Sequence, residues 1–421
     1  MRADSKIRRA SWTVIDQGIV SGGTFIANIL LARYLPAHDY GVYVLLIGGM
    51  LTLQLVNATM LFHPLSVSLV LASEADRPKL LKTALILVVS VSVVLSGGLA
   101  AALLLLGYGT LVLPALSCFL SWQIQEGMRR GLLAGFRHRE ATAGDAISYL
   151  GQSLVVIALA AFGVLTPAHA LYGLAGTCAV AALLQSRQLG IRFGTGLVLR
   201  RTVTAFWSIG GAWSLGNGLL SNARLQVLPW ALAIGAGPAA AASFQAALNI
   251  VNLSNPFVMG LCNIIPQAAA QASGKGAAAA WRDVRVYFLV AVPPLLAFGL
   301  LVMVVPEQIL LLVYGSHSPY LGAAFPVRLL IVAALAGYFT DMVVAFLHGM
   351  RAVPLAFAIN AVGAATATAL AFGLVGVFGL IGSCIALIGA NIARLIAVQI
   401  VLARMVGGRG VHPNHLLEIE Q

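Results

Sequence analysis

The chain has 421 residues, of which 60% are hydrophobic and only 9% charged, with a mean hydropathy of +0.94, a balance that excludes an ordinary water-soluble globule. Its formal net charge of +12 lies in short segments between apolar runs rather than on one continuous face, which excludes the basic surface of a nucleic-acid-binding protein. So apolar a chain must satisfy its backbone within helices or a closed barrel. Runs such as 80–106 and 284–313 select helices: they exceed the ~20 residues a spanning helix needs and lack the alternation of barrel strands.

In chain order, a basic start (Arg2, Lys6, Arg8, Arg9) precedes a first run at 12–32, which is too long for the apolar part of a signal peptide and reads as a retained helix. Further helices are predicted at 42–70, 80–106, 109–128, 141–163 and 168–186. A second six follow at 204–234, 239–268, 284–313, 325–348, 354–376 and 379–404. The expected fold class is an all-α polytopic membrane protein of about 12 helices, with an N-terminal lobe at 1–186 and a C-terminal lobe at 204–404. A basic cytoplasmic linker at 187–203 joins the lobes, and 405–421 form a cytoplasmic tail. With both termini inside, every Lys and Arg falls in an inside segment except Arg33, Arg224, Arg328 and Arg394, and this asymmetry sets the orientation.

Short external connections at 107–109, 163–167, 235–238 and 376–379 leave no room for an external catalytic domain. A membrane-bound glycosyl polymerase or ligase is therefore disfavoured, and with neither a GxxxxGK[ST] loop nor an HExxH pair the chain is not expected to be an enzyme. Cys118, Cys178, Cys262 and Cys384 lie inside or at the ends of apolar runs without metal or disulfide spacing, so they read as packing residues and no cofactor is expected.

An internal repeat is suggested by two proline pairs of equal spacing: Pro36 and Pro64 lie 28 residues apart, as do Pro238 and Pro266. The basic loop 129–139 after the fourth helix parallels 348–351 after the tenth, with Glu126 before one and Asp341 before the other.

Ala32-Arg33-Tyr34-Leu35-Pro36, followed by Asp39-Tyr40-Gly41-Val42-Tyr43, resembles the first external loop of the polysaccharide biosynthesis, or oligosaccharide flippase, family typified by Wzx. Val327-Arg328-Leu329-Leu330, Gly349-Met350-Arg351 and Gly376-Val377-Phe378-Gly379-Leu380-Ile381-Gly382 are similar to segments of its helices ten to twelve. The resemblance implies a MATE-like fold of two six-helix lobes with alternating access, in a bacterial cytoplasmic membrane. It also implies an isoprenoid pyrophosphate-linked oligosaccharide as the substrate turned between leaflets, with H+ or Na+, membrane lipids and the polysaccharide polymerase machinery as partners. The second half carries few charges in the usual cavity region, which loosens the implication of a strongly anionic sugar. A cation-coupled exporter of small molecules is the alternative.

Charge within hydrocarbon costs roughly 2.5 to 3.5 kcal/mol per residue, so each intramembrane ion needs a cavity or a partner. Arg224 shares a helical face with Ser214, Asn217 and Ser221 and suits bidentate binding of a lipid diphosphate, or snorkelling to the outer interface. Arg33, Arg328 and Arg394 sit near helix ends, where interfacial anchoring is the plainer reading. Gln245, Asn249, Asn252 and Asn255 form an amide stripe suited to sugar hydroxyls or to interhelical hydrogen bonds. Among the acids, Glu126 and Asp145 are expected to pair with the basic loop 129–139, and Asp16 with Arg8 or Arg9. Asp341 has no basic residue within a turn and is the stronger candidate for ion coupling, with Asp16 and Glu126 behind it.

Overall fold

A computed structural model describes the backbone of residues 3–191 and 198–406, and their side chains apart from 3–10, 13, 14, 209–214, 263 and 406. Parts of the predicted linker (192–197) and tail (407–421), and the Ser214 side chain, lie outside the described residues.

The first half opens with α1 (Ala3–Tyr34) and α2 (Ala37–Asn57), after which a π-helical turn, Ala58–Phe62, leads into α3 (His63–Leu71). Pro64 lies in the first turn of α3, where the missing N–H is no loss, so α2 and α3 continue as one apolar stretch, Ala37–Leu71. Next come α4 (Arg77–Leu105), α5 (Val112–Ala134) and α6 (His138–Asp145); a second π turn, Ala146–Leu150, joins α6 to α7 (Gly151–Ala161), and α8 (Pro167–Leu189) follows.

The second half contains α9 (Leu199–Ala236), α10 (Pro238–Val251), a 3-10 turn at Asn252–Ser254, α11 (Asn255–Ala272), α12 (Ala277–Val304), α13 (Pro306–Tyr314), α14 (Ala324–Gly349) and α15 (Val353–Val406). α15 is two arms joined at Gly379, whose φ of 52° and ψ of −126° break the helix in a region that a Cβ would make costly. Gly389 on the second arm packs against Leu370 on the first, as the two sides of a hairpin do. These arms are the predicted eleventh and twelfth helices, while α5 and α9 take the places of the fourth and seventh. One prediction is corrected: the ninth helix ends at Val304, not at residue 313, because Val305 leaves helical geometry and Pro306-Glu307 starts the separate α13.

The chain forms two compact units, Met1–Gly218 and Leu219–Gln421, with the boundary inside α9. In the first, Leu61, Phe62 and Leu65 pack with Ala84, Leu85 and Val88 of α4 and with Phe206 of α9. In the second, Trp281 stands edge-on to Phe288 at 5.1 Å and to Phe346 at 5.2 Å, pinning α12 to α14, with each aromatic pair worth about 0.5 to 1.5 kcal/mol beyond its burial. Val94, Leu105, Phe162, Ile234, Leu312 and Phe372 are exposed, as the outer faces of a bundle solvated by hydrocarbon must be.

The loops after the fourth and tenth helices close in the same way. Among the described residues, Phe136 (φ 57°) and Arg351 (φ 58°) are the non-glycine residues in the left-handed region. Each sits in a Schellman-type pair of bonds: Phe136 N–H to Leu133 O with Arg137 N–H to Leu132 O, and Arg351 N–H to His348 O with Ala352 N–H to Leu347 O. Aligned on these two residues, Glu126 corresponds to Asp341 and Asp145 to Asn360. The proline pairs are less alike, since the helix break follows Pro36 at Ala58–Phe62 but follows Pro238 sooner, at Asn252–Ser254.

Candidate functional site

The C-terminal unit holds a buried cluster rich in cationic donors. Arg224 on α9 is 6% exposed, and its Nη1 donates to Oδ1 of Asn391 on the second arm of α15. Asn391 in turn donates to the carbonyl of Ala333 on α14 at 2.7 Å, which fixes the direction of its amide. Three residues on, one helical step along the same face, Arg394 is 1% exposed and donates from Nη2 to Asp341 Oδ1 at 2.7 Å and to Asn360 Oδ1 at 2.9 Å. Gly363 on the first arm makes this crossing possible: a Cβ there would lie 2.6 Å from Arg394 Cγ and 3.3 Å from Arg224 Cδ. A larger residue would push the two guanidinium stems out of their shared slot.

The cluster is short of acceptors. A guanidinium carries five N–H donors and no acceptor, yet Nε of Arg224 and Nε and Nη1 of Arg394 are buried without a partner among the described residues. Two positive charges face one carboxylate. Such an arrangement can take an oxygen-rich anion, because a buried unpaired donor costs about 1 to 3 kcal/mol and more when it is charged.

Arg224, Asn391 and Asp341 line a cavity of about 170 Å³ together with Asn252, Asn255 and Tyr338. Leu295, Phe298, Leu330 and Leu335 supply apolar walls. Asp341 keeps 42% of its side chain exposed although its partner Arg394 is buried.

The predicted amide stripe divides at the 3-10 turn. Asn252 and Asn255 line the cavity. Gln245 instead donates to Asn249 Oδ1 at 2.9 Å, and Asn249 donates to the Tyr314 hydroxyl at 3.4 Å. That hydroxyl donates to Ala246 O at 2.9 Å, and burial pushes it up to about 12, so it remains a donor at neutral pH. Asn217 is half-buried in the portion of α9 that belongs to the N-terminal unit. Arg33 is exposed in the last turn of α1. Arg328 ties α14 to its neighbours through Met303 O at 3.0 Å and Glu307 Oε1 at 3.0 Å.

One expectation about partners changes. Arg394 is not an interfacial anchor: it is buried and paired with Asp341, which therefore does have a basic partner, contributed by another helix. Asp16 pairs with Arg129 at 2.8 Å; the side chains of Arg8 and Arg9, its expected partners, lie outside the described residues.

The Asp16–Arg129 contact belongs to an acid-rich cluster in the N-terminal unit. Arg129 also reaches Glu126 at 3.4 Å and Asp145, Arg130 reaches Glu126 at 2.6 Å, and Gln125 donates to Asp145 Oδ1 at 3.0 Å. Glu126 and Asp145 thus find the basic partners the sequence suggested. Among the described residues three carboxylates meet two arginines here, whereas in the C-terminal unit two buried arginines lie with one carboxylate, which Arg394 holds.

Comparison with known proteins gives the fold a place. No family model and no curated protein matches this sequence. Solved structures do match in fold: an inward-facing multidrug resistance MATE family transporter of the MOP superfamily, at 15% identity and a TM-score of 0.75, over 94% of this chain and 96% of that one. An outward-facing structure of such a transporter matches with 16% identity and a TM-score of 0.68, over 96% of each chain. A MOP superfamily transporter from Pyrococcus furiosus, described as having a binding pocket of reverse polarity that suggests a different function, matches with 14% identity and a TM-score of 0.67, over 95% of this chain and 96% of that one. The chain has a MATE-like, polytopic membrane fold.

Proposed function

We propose that this MATE-like bundle is a flippase that carries an isoprenoid pyrophosphate-linked oligosaccharide from the cytoplasmic to the outer leaflet of a bacterial cytoplasmic membrane by alternating access, for cell-surface polysaccharide synthesis. One observation carries the reading: Arg224 and Arg394 are buried together with unfilled N–H donors beside a cavity that also presents Asn252 and Asn255. Guanidinium groups bind diphosphate oxygens through paired, charge-assisted bonds, and amides both donate to and accept from sugar hydroxyls. The two flippase-like sequence regions around Arg33 and Arg328 support the same substrate class. The existence of inward- and outward-facing structures of this fold supports alternating access. In this reading the pyrophosphate sits at Arg224, and the sugar follows the amides.

The test is depletion of the protein in a cell that makes lipid-linked sugars. Substrate should accumulate facing the cytoplasm; normal surface export without the protein would end the proposal.

A second reading, a cation-coupled exporter of small molecules, draws on the likeness to multidrug transporters and on the carboxylates Asp16, Glu126 and Asp145 around Arg129. It predicts that purified protein moves hydrophobic cations against a proton or sodium gradient. The excess positive charge of the C-terminal cluster opposes cation binding there.

A further inference from the structure

We infer that Asp341 is a protonatable counter-ion: a doubly charged oxyanion that enters the C-terminal cavity beside Arg224 is bound together with a proton, which Asp341 takes up. The inference rests on the anion-binding reading above and adds to it the charge of the ligand and the stoichiometry of binding.

The argument is one of charge. Arg224, Arg394 and Asp341 together leave one positive charge in a site walled by Leu295, Phe298, Leu330 and Leu335. A monoanion cancels it. A dianion leaves one negative charge in apolar surroundings, which is costly unless a proton neutralises it.

The groups that face Asp341 restrict where that proton can go. They are Arg394 on α15, Arg224 on α9 and the Cys262 thiol on α11. The guanidiniums are already protonated, and a neutral thiol has none to gain. The other walls of the cavity, from α10 and α12, bring the apolar Leu248, Val251, Leu295 and Phe298. The Tyr338 hydroxyl in the cavity lining is neutral and donates to Phe288 O, so among the described residues Asp341 is the one group able to accept, through an O–H bond formed with a proton from solvent.

Geometry also distinguishes Asp341 from its repeat counterpart. Glu126 is buried and held by Arg129 and Arg130. Asp341 lines the cavity with 42% of its side chain exposed and relies on a single arginine. Protonation there does not strand Arg394, which keeps Asn360 Oδ1 as an acceptor.

The test uses full-length protein in detergent and two anions that do not titrate near neutral pH, methanedisulfonate (a dianion) and methanesulfonate (a monoanion). Calorimetry in buffers of different ionisation enthalpy counts the protons exchanged. Methanedisulfonate should bind with uptake of about one proton, and its affinity should fall about tenfold per pH unit over the range of that exchange; methanesulfonate should bind with neither effect. Asp341→Asn, which keeps Oδ1 for Arg394, should bind the dianion without proton uptake or pH dependence, and Arg224→Gln should lose both anions. Dianion binding by the native protein without uptake, or equal uptake by Asp341→Asn, overturns the inference while leaving the anion site standing. Failure of the native protein to bind either anion overturns the anion-binding reading as well. If Asp341→Asn does not fold, as judged by its melting and gel-filtration behaviour, the contrast between the two anions on native protein still decides.

Discussion

Arg394 on the second arm of α15 donates to Asp341 on α14 at 2.7 Å across 53 residues of sequence, with the arginine 1% exposed and the aspartate side chain 42% exposed. The pair is lopsided, and removing its two members should not be equivalent. Asp341→Ala leaves two buried guanidiniums without a carboxylate and should cost about 3 to 5 kcal/mol. The double variant Asp341→Ala/Arg394→Met should recover most of that loss. Thermal melting in detergent checks both.

Arg224 is predicted to serve the substrate more than the fold. Arg224→Ala should reduce flipping about 10- to 100-fold, the equivalent of one or two charge-assisted hydrogen bonds, with folded protein recovered at near-native yield. Arg224→Lys should restore only part of the rate, because an ammonium cannot form the paired bonds of a guanidinium. Equal loss of folded protein and of flipping in the alanine variant would assign Arg224 a structural role.

Gly363 gives a steric prediction. A Cβ there runs into the Arg394 side chain, so Gly363→Ala should destabilise by about 1 to 3 kcal/mol. Gly373 lies on the same arm with nothing within 4 Å of its would-be Cβ, and Gly373→Ala should melt at or above the native temperature. The difference between the two alanine variants isolates the contact.

In the N-terminal unit, Arg129 is the common partner of Asp16, Glu126 and Asp145. Arg129→Leu should cost about 3 to 5 kcal/mol by leaving buried carboxylates uncompensated. A second substitution, Asp145→Asn, should restore part of it, since Asp145 is the most deeply buried of the three. Melting temperatures of the single and double variants decide.

The orientation can be read by cysteine labelling. Cys118, Cys178 and Cys384 are buried and Cys262 is half-buried, so background labelling should be low. Both positions are exposed, and in intact cells a membrane-impermeant thiol reagent should label Val164→Cys, on a connection expected to be external, and leave Arg139→Cys unlabelled until the membrane is opened. The reverse pattern would invert the bundle.

The helices were legible in the sequence because each apolar run is about long enough to cross a bilayer's hydrocarbon core, or longer, and is bounded by charge, glycine or proline. The ninth was read too long because the leucines and valines after Pro306-Glu307 look continuous with those before, while proline restarts the backbone there. Of the site, Arg224, Asp341, Asn252 and Asn255 could be picked out as polar groups in apolar surroundings. Gln245 and Asn249 share that stripe by periodicity, but the 3-10 turn at Asn252–Ser254 separates them from the cavity. Arg394 and Asn391 were missed as a pair, although a spacing of three inside the apolar run 379–404 was a usable signal. What no periodicity could supply was the partner of Arg394, because Asp341 meets it only through the packing of α14 against α15. The left-handed residues Phe136 and Arg351 were also invisible, since neither is glycine.

The most direct test of the central claim is flipping in sealed liposomes containing the purified protein and a short isoprenoid pyrophosphate-linked oligosaccharide, followed as protection of the sugar from an external probe. The account predicts transfer well above that of protein-free vesicles, lost at least tenfold in folded Arg224→Ala. Transfer no faster than in protein-free vesicles, or transfer indifferent to Arg224→Ala, would contradict it.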